Sequence, residues 1–425
     1  MGKIKSLLRR MKNLLRKIKN KLVNAKKKQN GNNENIIRLE MFQKRYKQHK
    51  KIKVLFYSDL PSLWNSFDPL YRELKSDEMF EVDVLALPEL YDSKYKNYDI
   101  CSYLESKDYK YIRGYNKDEN KYIDFKYEDY DYLFPNRPYD WLRPKQYSNE
   151  ELRKRIKLCH ITYSTCMHKG KILDIVCGFQ HLYHYDMVFS ETPIHTNIYY
   201  DMKKKAPPSD TQILTVGSTK FDLVMSDKKN IENGMFTVLY TPRWSLREGT
   251  SSFLDLYNYL FDLANENSDI YYIFRPHPLM EQEYRRELWK AKEWDEFVQR
   301  FDQLPNARID LQGDYIKTFN ESDVLISDIS SMFAEYMLTD KPIIYMDKAD
   351  MLNEFGENIA KGMYWCKNSE DVDKIIKDLK NGCDSLSEIR KELINENYII
   401  DDENSSVKIK KLLIDDFNRT KRGMK

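Results

Sequence analysis

The string "IYYIFRPHP", residues 270 to 278, puts a cation, two prolines and an imidazole directly after an apolar, aromatic run. The run reads as a buried strand, and Arg275-Pro276-His277-Pro278 as a turn at its carboxyl end. Two other turns in the second half of the chain take the same position. Thr241-Pro242-Arg243-Trp244 ends the strand pattern "FTVLY", and in "ISDISSMFAEYM" Ser327-Asp328 close a strand while Ser330-Ser331 open a helix. A helix N-terminus offers unpaired N–H groups and a partial positive charge, to which hydroxyls add donors. Arg243 and Arg275 can complete an anion cradle, because a guanidinium grips phosphate in a two-pronged fork. Together these turns predict a diphosphate site made by Thr241, Arg243, Arg275, Ser327, Asp328, Ser330 and Ser331, with His277 as its imidazole. Glu335, one turn beyond Ser331, is placed to accept hydrogen bonds from sugar hydroxyls.

Each piece alone has a plainer reading. Ser-Ser before an apolar run is often only an N-cap, and Arg-Pro-His-Pro can be a turn whose histidine caps a carbonyl. Three such turns at one sheet edge favour the phosphate cleft. An imidazole is also the natural base for a hydroxyl near neutral pH. The chain has seven histidines, and five of them (160, 168, 181, 184 and 195) lie in one short stretch. His160, in or directly after a short strand, is the first choice for that base; His168, before Lys169-Gly170, comes next. Cys159, His160, Cys166, His168 and Cys177 match no standard structural zinc spacing and include no CxxC pair. No divalent ion is demanded, although one is compatible with this chemistry. Neither a Walker A loop nor a GxGxxG turn is present, which disfavours an NTPase or a dehydrogenase.

These residues need a scaffold. "KIKVLFYSD", "FEVDVLALP", "DYLFPNRP", "IKLCHITYS", "YDMVFSET" and "TQILTVGS" are short strand patterns in the first half; "FTVLYTPRW", "DIYYIFRPHP", "ARIDL", "SDVLISD" and "KPIIYMD" follow in the second. Helical runs such as "SSFLDLYNYLFDLANE" separate them. The alternation predicts an α/β protein of two doubly wound, Rossmann-like domains facing a cleft, with ligands beyond the carboxyl ends of the strands. The expected boundaries are 50–230 for the first, acceptor-side domain and 231–415 for the second, donor-side domain. The length of 425 residues suits two such units.

Net charge is +3, yet residues 1–28 alone carry twelve Lys or Arg and no acid, which leaves −9 for the rest. That placement in one tail, away from any folded face, disfavours nucleic acid as a partner. Within the tail, Ile4, Leu7, Leu8, Met11, Leu14, Leu15, Ile18, Leu22 and Val23 recur in steps of three and four on one helical face. Residues 1–30 are therefore expected to form a basic amphipathic helix and linker, with the helix lying on an anionic membrane surface and each cation adding about 1 kcal/mol. No secretory signal and no run of about 20 apolar residues is found. The six scattered cysteines read as reduced thiols.

"VLYTPRW", "FRPHP" and above all "SDVLISDISSMFAEYMLTDKPIIYMD" resemble the CDP-glycerol glycerophosphotransferase family of teichoic-acid type polymerases and primases. "TQILTVGSTKFD" falls where that family places a Gly-Xaa-Xaa-Arg-like turn linking its domains. The resemblance covers roughly residues 155 to 400. It implies a GT-B architecture with the donor nucleotide held mainly by the C-terminal half. It also implies that His277 is a histidine of the active cleft and that Ser330 and Ser331 contact the donor phosphates. The implied donor is a CDP-activated polyol, CDP-glycerol first, and the implied acceptor is lipid-linked or a polysaccharide. The enzyme would then be peripheral, at the cytoplasmic face of the cell membrane, with CMP as product. The family's His-Gly-Thr-Pro turn has no counterpart string here. Two rival functions remain: a GT-B sugar transferase using a UDP- or GDP-sugar, and a non-catalytic membrane-bound scaffold for polymer assembly.

Overall fold

A computed structural model describes residues 35–87, 99–141, 143–228, 234–287, 291–312, 315–399 and 403–423. The basic helix expected within residues 1–28 lies outside the described residues. A helix over 35–48 comes first, between the expected linker, which ended at 30, and the first domain, expected to begin at 50. It buries Phe42 and Tyr46, and its Arg38 holds both oxygens of Asp186 at 2.6 Å.

The first sheet has seven parallel strands: β1 (Ile52–Ser58), β2 (Phe80–Ala86), β3 (Ile112–Arg113), then, beyond a small hairpin of β4 (Tyr115–Asn116) and β5 (Lys121–Tyr122), β6 (Tyr132–Pro135), β7 (Lys157–Ile161), β8 (Met187–Ser190) and β9 (Gln212–Thr215). Their spatial order is β3-β2-β1-β6-β7-β8-β9. The strands are apolar almost throughout because helices cover both faces. Val54, Phe56 and Phe134 pack under Trp64, Phe67 and Leu70 on one face; Leu55, Leu133, Leu158 and Val188 pack under Leu152 and Tyr199 on the other.

The second sheet has six parallel strands, β10 (Phe236–Thr241), β11 (Ile270–Phe274), β12 (Ala307–Ile309), β13 (Val324–Ser327), β14 (Ile343–Met346) and β15 (Tyr364–Cys366), in the order β12-β11-β10-β13-β14-β15. In both sheets the chain winds outward one way and then returns to wind the other. The reversal falls between β1 and β6 in the first sheet and between β10 and β13 in the second. At such a switch point the connections leave in opposite directions and open a crevice at the strands' carboxyl ends.

The final helix, Ser405–Arg422, runs back from the second unit onto the first. Ile409, Leu413 and Phe417 enter the first unit's core, and Asp416 accepts hydrogen bonds from Tyr132 Oη and Lys157 Nζ, each at 2.6 Å. The expected second domain, 231–415, took in residues 405–415 of this helix, which pack on the first unit. Among the described residues no helix is long and apolar enough to cross a membrane. Because Leu413 has no exposed surface, Leu413→Ala should cost about 2–5 kcal/mol in a denaturant melt. An unchanged midpoint would mean that the helix does not dock.

Candidate active site at the second switch point

The register sets Thr241 of β10 beside Ser327 of β13, and the Ser327 hydroxyl donates to the Thr241 carbonyl. Asp328, the next residue, is wholly buried. Its Oδ2 accepts from the backbone N–H of Arg243 at 2.7 Å and of Ser252 at 3.0 Å. One carboxylate thus ties the end of β13 to the turn after β10 and to the start of the helix Phe253–Glu266. Burial pushes its pKa up to about 6, against the downward pull of those N–H donors. Asp328, expected to touch substrate, is in this arrangement an organiser of the three turns.

Arg243 pairs with Glu248 at 2.7 Å, yet its charge still reaches two imidazoles, lowering the pKa of both His168 and His277. Arg275 is held on the cleft wall: Nη1 meets Asp310 at 2.6 Å, Nη2 donates to the Gln312 carbonyl at 2.7 Å, and the guanidinium lies over the Tyr315 ring at 5.8 Å. Ser330 and Ser331 are half-buried. Ser330 Oγ accepts from Met332 N at 3.2 Å, and Ser331 caps the helix Met332–Met337 with its hydroxyl not engaged in the cap.

His277 is exposed to solvent within the cleft and stacks beside Trp244, with centroids 5.8 Å apart. Its Nδ1 accepts from Leu279 N at 3.1 Å. The surrounding protein first, and then Arg243, push its pKa down, so the ring is neutral near pH 7. A neutral ring with Nδ1 accepting carries its proton on Nε2. His277 is therefore set up as a hydrogen-bond donor.

The two histidines proposed for the base part company. His160 lies inside β7 with no exposed surface, both ring nitrogens lack partners, and burial lowers its pKa to about 3. It packs edge-on against Tyr185 at 5.7 Å and does not reach the cleft, so the first choice for base is corrected. Strand alternation turned it into the core. His168 does reach the second unit. Residues 166–169 pair antiparallel with 350–353: Lys169 N donates to the Met351 carbonyl at 2.9 Å, Asn353 N to that of Met167 at 2.8 Å, and Asn353 Nδ2 to that of Cys166 at 2.7 Å. His195, a remaining member of the histidine cluster, supports this loop from behind. Its Nε2 meets the Cys166 carbonyl at 3.1 Å and its Nδ1 the Thr192 hydroxyl at 2.8 Å. The His168 ring touches the Ile329 backbone, while burial and then Arg243 lower its pKa to about 3; its Nε2 has no partner. His181 and His184, half-buried, sit by Trp141 and Tyr183.

Glu335, expected to meet sugar hydroxyls, has both oxygens engaged. Lys220 Nζ donates to Oε1 at 2.5 Å and Tyr315 Oη to Oε2. Lys220 comes from the helix Thr219–Ser226 of the linking turn, so this buried pair fastens the two units together. Gly217 in that turn has φ +96°, and a Cβ there would meet Ser405 Oγ at 2.5 Å. Neither Lys220 nor Asn353 was singled out from sequence. Among the described residues no group of three or more His, Cys, Asp or Glu side chains is gathered as for a metal ion.

The model of the CDP-glycerol:poly(glycerophosphate) glycerophosphotransferase family matches residues 172–413, more than half of the chain. The chain belongs to this family. It is a CDP-glycerol glycerophosphotransferase-like enzyme of GT-B architecture, as the resemblance implied. No curated protein matches it. Among solved structures, the wall teichoic acid polymerase TagF is 14% identical with a TM-score of 0.55 over 90% of this chain and 93% of that one. A CDPG-soaked variant of TagF gives 13% and 0.57 over the same shares. A putative UDP-N-acetylglucosamine 2-epimerase from Listeria monocytogenes is 14% identical, with a TM-score of 0.56 over 87% of this chain and 97% of that one. At such identities the likeness is one of fold.

The Asp328 carboxyl gives this transferase a pH signature. Folded, it keeps its proton up to about pH 6; unfolded, it releases it near the ordinary 3.8. Its contribution to stability therefore falls as pH rises from 4 to 6. Against an Asp328→Asn variant, the wild type should lose up to about 3 kcal/mol of unfolding free energy across that range. Parallel curves for the two proteins would contradict it.

Proposed function

We propose that this enzyme transfers a polyol phosphate, glycerol phosphate first, from a CDP-activated donor to a hydroxyl of a membrane-linked or polysaccharide acceptor, in teichoic-acid-like or capsule polymer synthesis. The observation that carries the reading is geometric: residues 166–169 pair with 350–353 and so bring His168 to the second unit, where Asp328 ties the strand leading into Ser330–Ser331 to the Arg243 turn and Trp244 of that turn stacks on His277. Family membership supports the donor class, and TagF, by its printed name, is a wall teichoic acid polymerase.

In this mechanism the diphosphate lies against Ser330, Ser331 and Arg243. The acceptor oxygen attacks the β-phosphorus, the bond from that phosphorus to the bridging oxygen breaks, and CMP leaves. Charge growing on the phosphoryl oxygens is met by Arg243 and by the Nε2–H of His277, so most of the acceleration comes from placement and charge neutralisation. His168 takes the acceptor's proton on its Nε2, which is buried and has no partner in the free protein. Burial, and then Arg243, depress its pKa; a bound diphosphate offsets the Arg243 part and so raises the ring's proton affinity. Arg275 shapes the wall through Asp310.

A panel of CDP-glycerol, CDP-ribitol, UDP-sugars and GDP-sugars should give CMP release from a CDP-polyol alone. Release of UDP or GDP would indicate a sugar transferase, and no release a scaffold. His277→Ala should lower that turnover by about 10²–10⁴-fold with an unchanged melting temperature; near-normal turnover would remove His277 from the chemistry.

The same proposal places the enzyme peripherally on the cytoplasmic face of the cell membrane. Its support is the one-sided apolar stripe and twelve cations of residues 1–28. Sedimentation with anionic vesicles should pull down the full chain and leave a chain starting at residue 29 in solution; equal binding by both would contradict the anchor.

A further inference from the structure

The first sheet has a switch point of its own, between β1 and β6, and its carboxyl end carries a second polar cluster. β1 ends in Ser58-Asp59 just as β13 ends in Ser327-Asp328. Phe56 and Phe134 stack on one face of the sheet at 5.2 Å. Two residues further along, Ser58 and Asn136 share that face. Trp64 packs on Phe56 from above, and Asn65 follows it. The three side chains are each more than nine-tenths buried, yet Ser58 Oγ, Asn65 Nδ2 and Asn136 Oδ1 all lack a partner. Between them Asp59 Oδ1 accepts from Asn136 Nδ2 at 2.7 Å and from Arg137 Nη2 at 3.1 Å.

A buried polar atom with no partner costs folding free energy, so the three atoms at the ends of β1 and β6 and in the turn after Trp64 are not explained by stability. Their position is informative. β6 neighbours β7, so the cluster lies one strand from the strand whose following loop carries His168 to the second unit. Their chemistry is informative as well. The unpartnered set is an amide donor, an amide acceptor and a hydroxyl, and the carboxylate bonded to Asn136 is already neutralised by Arg137. That set suits groups which both donate and accept, such as adjacent hydroxyls, better than it suits a phosphate.

We propose that Ser58, Asn65 and Asn136, held by the Asp59–Arg137 pair, form the subsite for the hydroxyl-bearing end of the acceptor, a polyol or sugar terminus. The inference rests on the transferase reading above. The helix Thr219–Ser226 of the linking turn reaches this corner too, since the Thr219 hydroxyl donates to the carbonyl of Ser66, the residue after Asn65, at 2.6 Å.

The test is calorimetric binding of two probes, a synthetic glycerol phosphate trimer and a plain disaccharide, with and without CDP. It uses the full chain and the variants Ser58→Ala and Asn65→Ala. At least one probe should bind the wild type and bind each variant about tenfold more weakly, and which probe does so names the acceptor's end group. Ser58→Ala should melt no lower than the wild type, because the hydroxyl it loses is unsatisfied in the free protein. Equal affinity in wild type and variants, binding of neither probe, or a loss of affinity that merely follows a drop in melting temperature would overturn the subsite. CMP release is scored separately: without it, variant-sensitive probe binding would still stand while the transferase reading fell.

Discussion

Four residues of the first unit, 166–169, lie antiparallel to 350–353 of the second, and the cleft chemistry depends on that pairing. Without it His168 would be one more loop histidine. With it, the ring is pressed against the turn after β13, within the field of Arg243. Two further fastenings act in the same sense. Asn353 of the second unit and His195 of the first both meet the Cys166 carbonyl. Lys220 and Glu335 form a buried ion pair with Tyr315 as third partner. A buried pair of this kind contributes little net stability but strongly penalises its own separation, so it suits a joint that must keep one geometry.

Both halves solve the same physical problem in the same way. A doubly wound sheet leaves a crevice where its strand order reverses, and each half places a Ser-Asp pair there, at the carboxyl end of a central strand. In the second half the carboxylate is spent on backbone N–H groups, and this fixes the turns that present Arg243 and the Ser330–Ser331 hydroxyls. In the first half it is spent on Asn136 and Arg137. The difference matches the ligands proposed for each side: a charged diphosphate against a cation and a helix end, and neutral hydroxyls against amides.

The second half was largely legible from sequence, because prolines, arginines and paired serines mark where its strands stop and turns begin. The first half was harder. His160 and His168 have the same chemistry and are eight residues apart, but only the alternation within β7 and the pairing with 350–353 decide which of them reaches the cleft. Glu335 looked like a ligand because its partner, Lys220, lies 115 residues away. The helix over 35–48 was hidden by polar neighbours, and its two buried aromatics have a place only because the last helix returns to cover them, as the Tyr46–Phe417 stack at 4.6 Å shows. What sequence could not supply in each case was long-range pairing. Local pattern reports strands and turns well and says little about which distant turn will face them.

A crystal structure of the full chain with CDP bound tests the account at its centre. The account requires the diphosphate to lie beyond β10 and β13, within hydrogen-bond reach of Ser330 or Ser331 and of the Arg243 guanidinium, with His277 Nε2 directed at a phosphoryl oxygen. Nucleotide density at the carboxyl end of the first sheet, or a diphosphate beyond the reach of Arg243 and both serines, would contradict it.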